Sequence, residues 1–278
     1  MSAPPERYLS CGGRDMLRAP AASDGITEMT APSRHPLELL LRNLELRSTL
    51  SADDREAILR LPYTLRTLEA ATYTVREADP PATCGVLVSG FAYRQKITGD
   101  GARQILALHI PGDALDFQNL FLDVSDHSVQ MLTRGEVAFV SREDIQNLTR
   151  SRAAIGHAIL VKILVEASIF REWILNVGRR DSRARMAHVL CEFAVRLEAE
   201  GLADEYAYQL PMTQEQLADA LGLTPVHVNR TLKALEAEGL ITRSKRTVSF
   251  PDWKSMREAG DFNQRYLHLE PQRSGHDA

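Results

Sequence analysis

The 278-residue sequence contains only three cysteines, Cys11, Cys84 and Cys191, and they lie far apart. They form no Cys-x-x-Cys pair, which excludes a zinc ribbon, a redox dithiol and a disulfide framework. Such sparse use of cysteine fits a reducing cytoplasm, and we expect a cytoplasmic protein. Cys84 is predicted at a strand edge, where burial is a simpler explanation than oxidation sensing.

Long apolar runs and excess positive charge are also missing. We find no unbroken run of the roughly 18 apolar residues that a membrane helix needs, and no apolar core of a signal peptide. We therefore expect no membrane span and no membrane partner. The formal net charge is −4, so any contact with nucleic acid must come from local basic clusters.

What remains is the composition of a globular protein, with 44% hydrophobic and 25% charged residues. The length is sufficient for two domains with cores of their own. Residues 1–35 are rich in Pro, Ala, Ser and Gly and have no periodicity, so we predict a disordered extension there.

A small jelly-roll barrel is predicted between residues 65 and 140, because the hydrophobic period there approaches two. Gly-Asp-Gly at 99–101 indicates a hairpin turn, and Pro111-Gly112-Asp113 indicates a second tight turn. Two helices precede the barrel, and Ser51 caps the second one. The predicted strands are 71–75, 85–88, 92–97, 104–110, 129–132 and 137–140.

A long helix is predicted from Arg152 to Val177, about 39 Å at 1.5 Å per residue, with Gly178 as its end. It carries two apolar stripes, so it must bury two surfaces, one on the barrel and one on a partner helix. Burial within a single chain is the alternative. We assign the dimer contact to the first stripe, Ile159, Ile163, Glu166, Phe170, Trp173 and Val177. The second stripe is Leu160, Leu164, Ala167, Arg171 and Ile174.

Two more helices joined by a sharp turn are predicted from Thr213 to Leu240. Thr213 and Thr224 are the N-caps, Gly222 ends the first helix, and Pro225 opens the second. Two strand-like runs at 240–242 and 247–250 then surround a basic turn at 243–246. This is the pattern of a winged helix-turn-helix, for which an ordinary helical hairpin is the alternative.

The order of barrel, long helix and winged helix-turn-helix resembles the Crp/Fnr superfamily of bacterial transcription regulators, over roughly residues 40–250. The most specific part is Thr213–Leu240 with Val228-Asn229-Arg230, and the Pro111-Gly112-Asp113 turn is a weaker mark. The resemblance implies an α+β fold and a homodimer that places one helix in each of two successive major grooves.

This interpretation divides the chain into five parts. We predict a disordered extension over 1–35, a cyclic-nucleotide-binding-like sensor domain over 36–150 and a dimerisation helix over 151–178. A winged helix-turn-helix DNA-binding domain follows over 179–253, and a C-terminal tail over 254–278.

The resemblance also implies roles for the residues of the second helix. Arg230 matches the arginine that the family uses against guanine, whose O6 and N7 can accept two hydrogen bonds from a guanidinium. Val226 replaces the glutamate of well-known members, so their target sequences do not carry over. The implied base-reading residues are Pro225, Val226, His227, Asn229 and Arg230. The implied phosphate contacts are Thr213, Gln214, Thr224, Lys233, Arg243, Lys245 and Arg246.

The ligand cassette of a cyclic-nucleotide-binding domain does not match. The family uses Gly-Glu for the ribose hydroxyl and Arg-Ser for the phosphate, and in register these places hold Asp116-Phe117 and His127-Ser128. Phe117 accepts no hydrogen bond, Asp116 would repel a phosphate, and His127 replaces an arginine poorly. We therefore expect an effector other than a cyclic nucleotide, with Asp116, Phe117, His127 and Ser128 as its candidate pocket.

We predict no cofactor and no metal. The iron–sulfur branch of the family needs four cysteines, and a lone histidine such as His109 or His157 is usually satisfied locally rather than bound to haem. The predicted function is a non-catalytic regulator whose partners are double-stranded DNA, a second copy, RNA polymerase and an unknown effector. The alternatives are a constitutive DNA-binding regulator without effector and a cupin-like metal enzyme, although the barrel lacks clustered His and Glu.

Overall fold

The computed structural model describes residues 35–203 and 206–269. The disorder predicted for residues 1–35, Cys11 and the end of the predicted tail lie outside this part, apart from His35. Two helices come first, α1 (Pro36–Glu45) and α2 (Ala52–Leu59). The predicted cap of α2 is present as a reciprocal pair, since the Ser51 hydroxyl accepts from the Asp54 amide and the Asp54 carboxylate accepts from the Ser51 amide.

The strands of the jelly-roll barrel are β1 (Tyr63–Leu68), β2 (Tyr73–Val75), β3 (Thr83–Leu87), β4 (Ala92–Ile97), β5 (Arg103–His109), β6 (Ser128–Met131) and β7 (Gly135–Ser141). They form two antiparallel sheets with strand orders β1-β7-β3 and β2-β6-β4-β5. The six predicted strands are confirmed, but β1 was not predicted. Its first five residues are exposed, so this edge strand shows no hydrophobic alternation.

Both predicted turns of the barrel depend on glycine in a left-handed conformation. Gly101 has φ +89° in the hairpin between β4 and β5, and Gly112 has φ +97° after β5. The second turn leads into a 3-10 helix (Phe117–Leu120) before β6. It also directs Asp113 into the protein, where its side chain accepts from the Ile110 amide at 3.0 Å.

Helix α3 (Arg142–Ser151) follows the barrel and leads to the long helix α4 (Ala153–Arg179). Gly178 lies inside α4 and does not end it. Contrary to our expectation, α4 is long and apolar enough to cross a membrane by length and composition alone. Packing within the chain accounts for part of this character, because apolar side chains of one face are buried: Ile155, Ala158, Ile159, Val165, Ile169 and Trp173. Lys162 and Glu166 are buried as well, beside Asp113 and Arg94 of the barrel.

The C-terminal part starts with α5 (Ser182–Ala199), which returns along α4. The helix-turn-helix follows as α6 (Gln214–Leu221) and α7 (Pro225–Ala237), then the wing strands β9 (Thr242–Ser244) and β10 (Thr247–Ser249). An unpredicted strand, β8 (Tyr208–Gln209), joins the wing to give the order β8-β10-β9. The predicted closing helix is two short pieces, α8 (Trp253–Ala259) and a 3-10 turn (Gln264–Leu267).

One buried carboxylate connects the barrel, α4 and α5. Asp113 Oδ1 lies 2.7 Å from Lys162 Nζ of α4, and Oδ2 lies 2.9 Å from Arg196 Nη2 of α5. Burial alone would raise the pKa of Asp113, but Lys162 and Arg196 outweigh it and hold the pKa well below its ordinary value. Asp113 therefore stays ionised and fastens the three parts together.

Replacing Asp113 with Asn removes this charge, which leaves the buried Lys162 without its counterion and the buried Arg196 with only Glu192, 3.5 Å away. We expect the free energy of unfolding to fall by roughly 3–5 kcal/mol. Because the native pKa is depressed, the carboxylate stabilises the fold above the ordinary aspartate pKa of about 3.9, and this stabilisation is lost as the pH falls below it. The difference from the wild type should therefore shrink in acid.

Urea denaturation at about pH 7 and about pH 3 measures both effects. The matched control is Asp53→Asn, at an exposed position of α2, which should change stability little. An Asp113→Asn protein as stable as the control near neutral pH would contradict the role given to this carboxylate.

Candidate nucleic-acid interface

The predicted caps and turn of the helix-turn-helix are present. The Thr213 hydroxyl accepts from the Gln216 amide at 3.2 Å, and the Gln216 side chain accepts from the Thr213 amide at 2.9 Å. Gly222 ends α6 with φ +63°, and the Thr224 hydroxyl then accepts from the His227 amide at 3.3 Å. Each helix thus has its own N-cap, and a left-handed glycine sets the crossing.

Helix α7 divides cleanly into a buried and an exposed face. Its buried side chains are Val228, Thr231, Leu232 and Leu235, which anchor it to the core of this domain. The opposite face carries the predicted base-reading residues: Pro225, Val226, His227 and Arg230 are exposed, and Asn229 is half-buried. Val226 is 70% exposed, although an apolar side chain would normally be covered, so this face is free to meet another molecule.

A shallow groove of about 410 Å³ connects this face with the start of α6. It brings Gln214, predicted to touch phosphate, beside the reading residues and Lys233. Its lining contains two cationic side chains and no acidic one. The lining residues are Gln214, Pro225, Val226, Asn229, Arg230 and Lys233.

Fewer basic side chains of the wing are available for phosphate than we predicted. Arg243 Nη2 lies 2.5 Å from Glu236 Oε2, and this hydrogen bond lowers the pKa of Glu236. Arg243 is therefore engaged within the chain and is not an unpaired phosphate contact. Lys245, at the tip with φ +55°, and Arg246 are exposed and carry the positive charge of the wing.

Arg180, between α4 and α5, and Arg183 and Arg185 of α5 make contacts within the chain and do not extend the basic face. Arg180 contacts Glu172 at 2.7 Å and Asp261 at 3.1 Å. Arg183 contacts Glu238 at 2.5 Å. Arg185 donates to the carbonyl oxygens of Arg180 and Leu221. The basic face consequently rests on α7 and the wing tip.

We assigned the dimer contact to the first stripe of α4, but this stripe lies on the face that packs within the chain. Ile159, Glu166 and Trp173 are buried within the chain itself, because this side of α4 packs on the barrel and α5. Ile163, Phe170 and Val177 are half-buried. The second stripe is the uncovered one, with Leu160 53%, Leu164 58% and Ile174 73% exposed.

The candidate effector pocket is only partly assembled. His127 lies 3.3 Å from Asp116 and borders a cavity of about 570 Å³ between the barrel and α4. Phe117 does not reach it, because its side chain is buried in the core beneath α1. Ser128 accepts from the Glu77 amide at 3.0 Å and does not line the cavity either. Of the four predicted residues, only His127 forms its wall.

Sequence reasoning missed Arg94 in this cavity. Its side chain is almost fully buried, lies 3.4 Å from Glu166 and donates to the Leu115 carbonyl at 2.9 Å. The guanidinium also lies over the Phe170 ring, 5.4 Å from its centroid. A charged residue amid buried positions of β4 was the available signal, because an arginine there requires a buried partner.

The first helix of the motif contacts the barrel. Arg103 of β5 lies 2.6 Å from Asp219 of α6, and the Gln104 side chain donates to the Ala220 carbonyl at 3.3 Å. The back of α6 therefore rests on the barrel while the reading face of α7 is exposed.

No metal-ligating cluster of three or more His, Cys, Asp or Glu occurs within residues 35–203 and 206–269. Cys84 and Cys191 are buried, and burial raises the pKa of each thiol. His109 is buried near Asp113, and burial, then Arg94, lower its pKa well below the ordinary value. These groups are packed structural residues.

Comparison with known families agrees with this arrangement. The profile of the cyclic nucleotide-binding domain matches residues 65–152, and that of the Crp-like helix-turn-helix domain matches residues 184–259. The nitrogen fixation regulation protein FixK of Azorhizobium caulinodans is 30% identical over 173 residues, 62% of this chain and 69% of that protein. The chain belongs to the Crp/Fnr superfamily.

Further Crp/Fnr relatives cover more of the chain. The transcriptional activator protein FnrL of Cereibacter sphaeroides is 28% identical over 204 residues, 70% of this chain and 80% of the relative. The structure of FixK2 from Bradyrhizobium japonicum superimposes with a TM-score of 0.66 at 23% identity, covering 72% of this chain and 98% of the other. The chain is thus a DNA-binding transcription regulator with the predicted α+β architecture.

Replacing Thr224 with Ala should remove the cap of α7. We expect a loss of about 1 kcal/mol in the free energy of unfolding, because the His227 amide loses its acceptor. Thr224→Ser keeps the hydroxyl and is the matched control. Urea denaturation distinguishes them, and equal stability of the two variants would mean that the hydroxyl does not cap the helix.

Proposed function

We propose that this protein is a dimeric, non-catalytic regulator that reads DNA with the exposed face of α7. The observation that carries the proposal is the exposed face of Pro225, Val226, His227, Asn229 and Arg230 beside a groove without acidic residues. An α-helix fits the major groove, where each base pair presents a distinct pattern of donors and acceptors. As a DNA-binding regulator, it would act in the cytoplasm.

Each exposed side chain has a chemistry suited to this task. The Arg230 guanidinium can donate to guanine O6 and N7, whereas Val226 can only make apolar contact, as with a thymine methyl. Gln214, Thr213, Thr224 and Lys233 would meet phosphates, together with Lys245 and Arg246 of the wing. Arg243 would contribute less, because Glu236 already engages it.

The dimer contact belongs on the exposed stripe of α4. Leu160, Leu164, Ala167, Arg171 and Ile174 recur at spacings of four and three, as in a two-stranded coiled coil. Three of these side chains are large, apolar and more than half exposed, so a second copy would cover them. The buried stripe on the other side couples each helix to its own barrel.

The effector and the mode of regulation are further parts of the proposal. The cavity beside His127 and Arg94 is the place for a small effector, and the absence of the cyclic nucleotide cassette favours a different ligand. Relatives named transcriptional activators support activation through contact with RNA polymerase. A constitutive regulator without effector is the second candidate, since Arg103 and Asp219 already hold the motif on the barrel.

Replacing Arg230 with Ala tests the reading face. We expect a loss of roughly 1–3 kcal/mol in DNA affinity at one base position and relaxed discrimination there. Binding to a set of single-base variants of its upstream site measures the effect. Lys233→Gln is the control, since losing a phosphate contact should weaken binding to all sequences and reduce the salt slope by about one. Unchanged discrimination in Arg230→Ala would refute the assignment.

Replacing Ile174 with Glu tests the dimer. The side chain is 73% exposed, so the fold should tolerate the change, while the dimer would have to bury two like charges in its interface. We expect a shift towards monomer in analytical ultracentrifugation. Val124→Glu, at an equally apolar position that is 53% exposed in the loop before β6, should stay dimeric. If the Ile174→Glu protein remained dimeric, the dimer interface would have to lie on another surface.

A further inference from the structure

A second large cavity, of about 900 Å³, lies between α4 and the C-terminal segment. It shares no lining residue with the cavity beside His127. Four arginines and one histidine border it, and none of its described lining residues is acidic. The cationic residues are Arg47, Arg171, Arg257, Arg265 and His268.

Two of these cations have unmet hydrogen-bonding capacity. Arg47 donates hydrogen bonds from Nε and Nη2 to the Leu267 carbonyl, at 3.1 and 2.9 Å. Its Nη1 is buried and has no partner among the described residues. The same holds for Nε of Arg257. Burial lowers the pKa of Arg47. No described lining residue offers a carboxylate to these guanidinium groups, so an anion in the cavity would be stabilising.

The rest of the wall consists of the two amide side chains of Asn263 and Gln264 and four apolar side chains. Val161, Leu164 and Val165 of α4 form one side, and Leu269 contributes to the opposite side. The volume is in the range of sites for organic molecules of moderate size and is larger than a single inorganic ion requires. Arginine forks match the planar or tetrahedral oxygens of carboxylates and phosphates.

We propose that this cavity binds an organic anion with a carboxylate or phosphate head and an apolar body. The head lies among the arginines, and the body lies along Val161 and Val165. This inference goes beyond the proposed function, because it adds a second ligand site. The cavity shares Leu164 and Arg171 with the proposed dimer stripe, but it shares no residue with the DNA-reading face or with the cavity beside His127. Such a ligand would contact the turn after α1, α4 and the C-terminal segment together, and so would report a metabolite to the long helix by a separate route.

Isothermal titration of the full-length protein with decanoate and with decyl phosphate tests the proposal and separates the two head groups. Decanol, with the same chain and no charge, is the neutral control. We expect saturable binding of at least one anion, one per chain, and at least tenfold weaker binding of decanol.

The double substitution Arg257→Gln with Arg265→Gln tests the site. Neither residue belongs to the proposed dimer stripe, Arg265 is exposed and Arg257 is half-buried, so folding and dimer contact should be preserved, and circular dichroism can check the fold. We expect the anion to bind at least tenfold more weakly. Arg150→Gln, an exposed position at the end of α3 away from the cavity, is the matched control and should bind like the wild type.

Three results would overturn the proposal: no saturable binding of either anion, equal binding of decanol, or unchanged affinity in the double variant. DNA binding of the same variant, measured in parallel, keeps the outcome independent of the proposed function. A failed anion site with intact DNA binding would leave the regulator assignment standing.

Discussion

The buried carboxylate of Asp113 is the constraint on which the relative placement of the domains depends. A lone charge in the interior is costly, so the turn after β5 must meet Lys162 of α4 and Arg196 of α5 at once. The network continues through Glu192, which accepts from Trp173 at 3.0 Å and from Tyr266 at 2.8 Å. Burial raises the pKa of Glu192. These polar contacts act together with one apolar cluster that runs from the barrel through α4 and α5 into the helix-turn-helix, and they hold the three parts in one arrangement.

Most of the secondary structure could be predicted from signals that act between residues close in the sequence. Caps at Ser51, Thr213 and Thr224, and glycines with positive φ, act within a few residues, so their effect can be recognised in the sequence. Strand β1 was not predicted, because it lies exposed at the edge of its sheet and its sequence does not alternate between apolar and polar residues. The periodicity of α4 showed that two faces are apolar, yet both stripes have the same spacing. Only the tertiary structure decides which one meets the chain's own barrel.

The sites divide in the same way. The reading face of α7 was predictable, since helical spacing alone separates its buried and exposed residues. Long-range partners were not: the pairing of Arg243 with Glu236 and the burial of Arg94 beside Glu166 join separate elements. The ligand cassette was aligned by register from a neighbouring turn, and the 3-10 helix that starts at Phe117 then turns that side chain into the core.

The connection between α4 and α5 consists of only Arg180 and Asp181, and the first of these is clamped to Glu172 and Asp261. Such a short, fastened hinge would restrict movement of each DNA-binding domain relative to α4 in the proposed dimer. The distance between the two recognition helices would then be fixed, and with it the spacing of the half-sites that the dimer can bind. An operator lengthened by one base pair moves a half-site by about 3.4 Å and turns it by about 35° around the duplex axis, a misalignment that a stiff hinge cannot absorb.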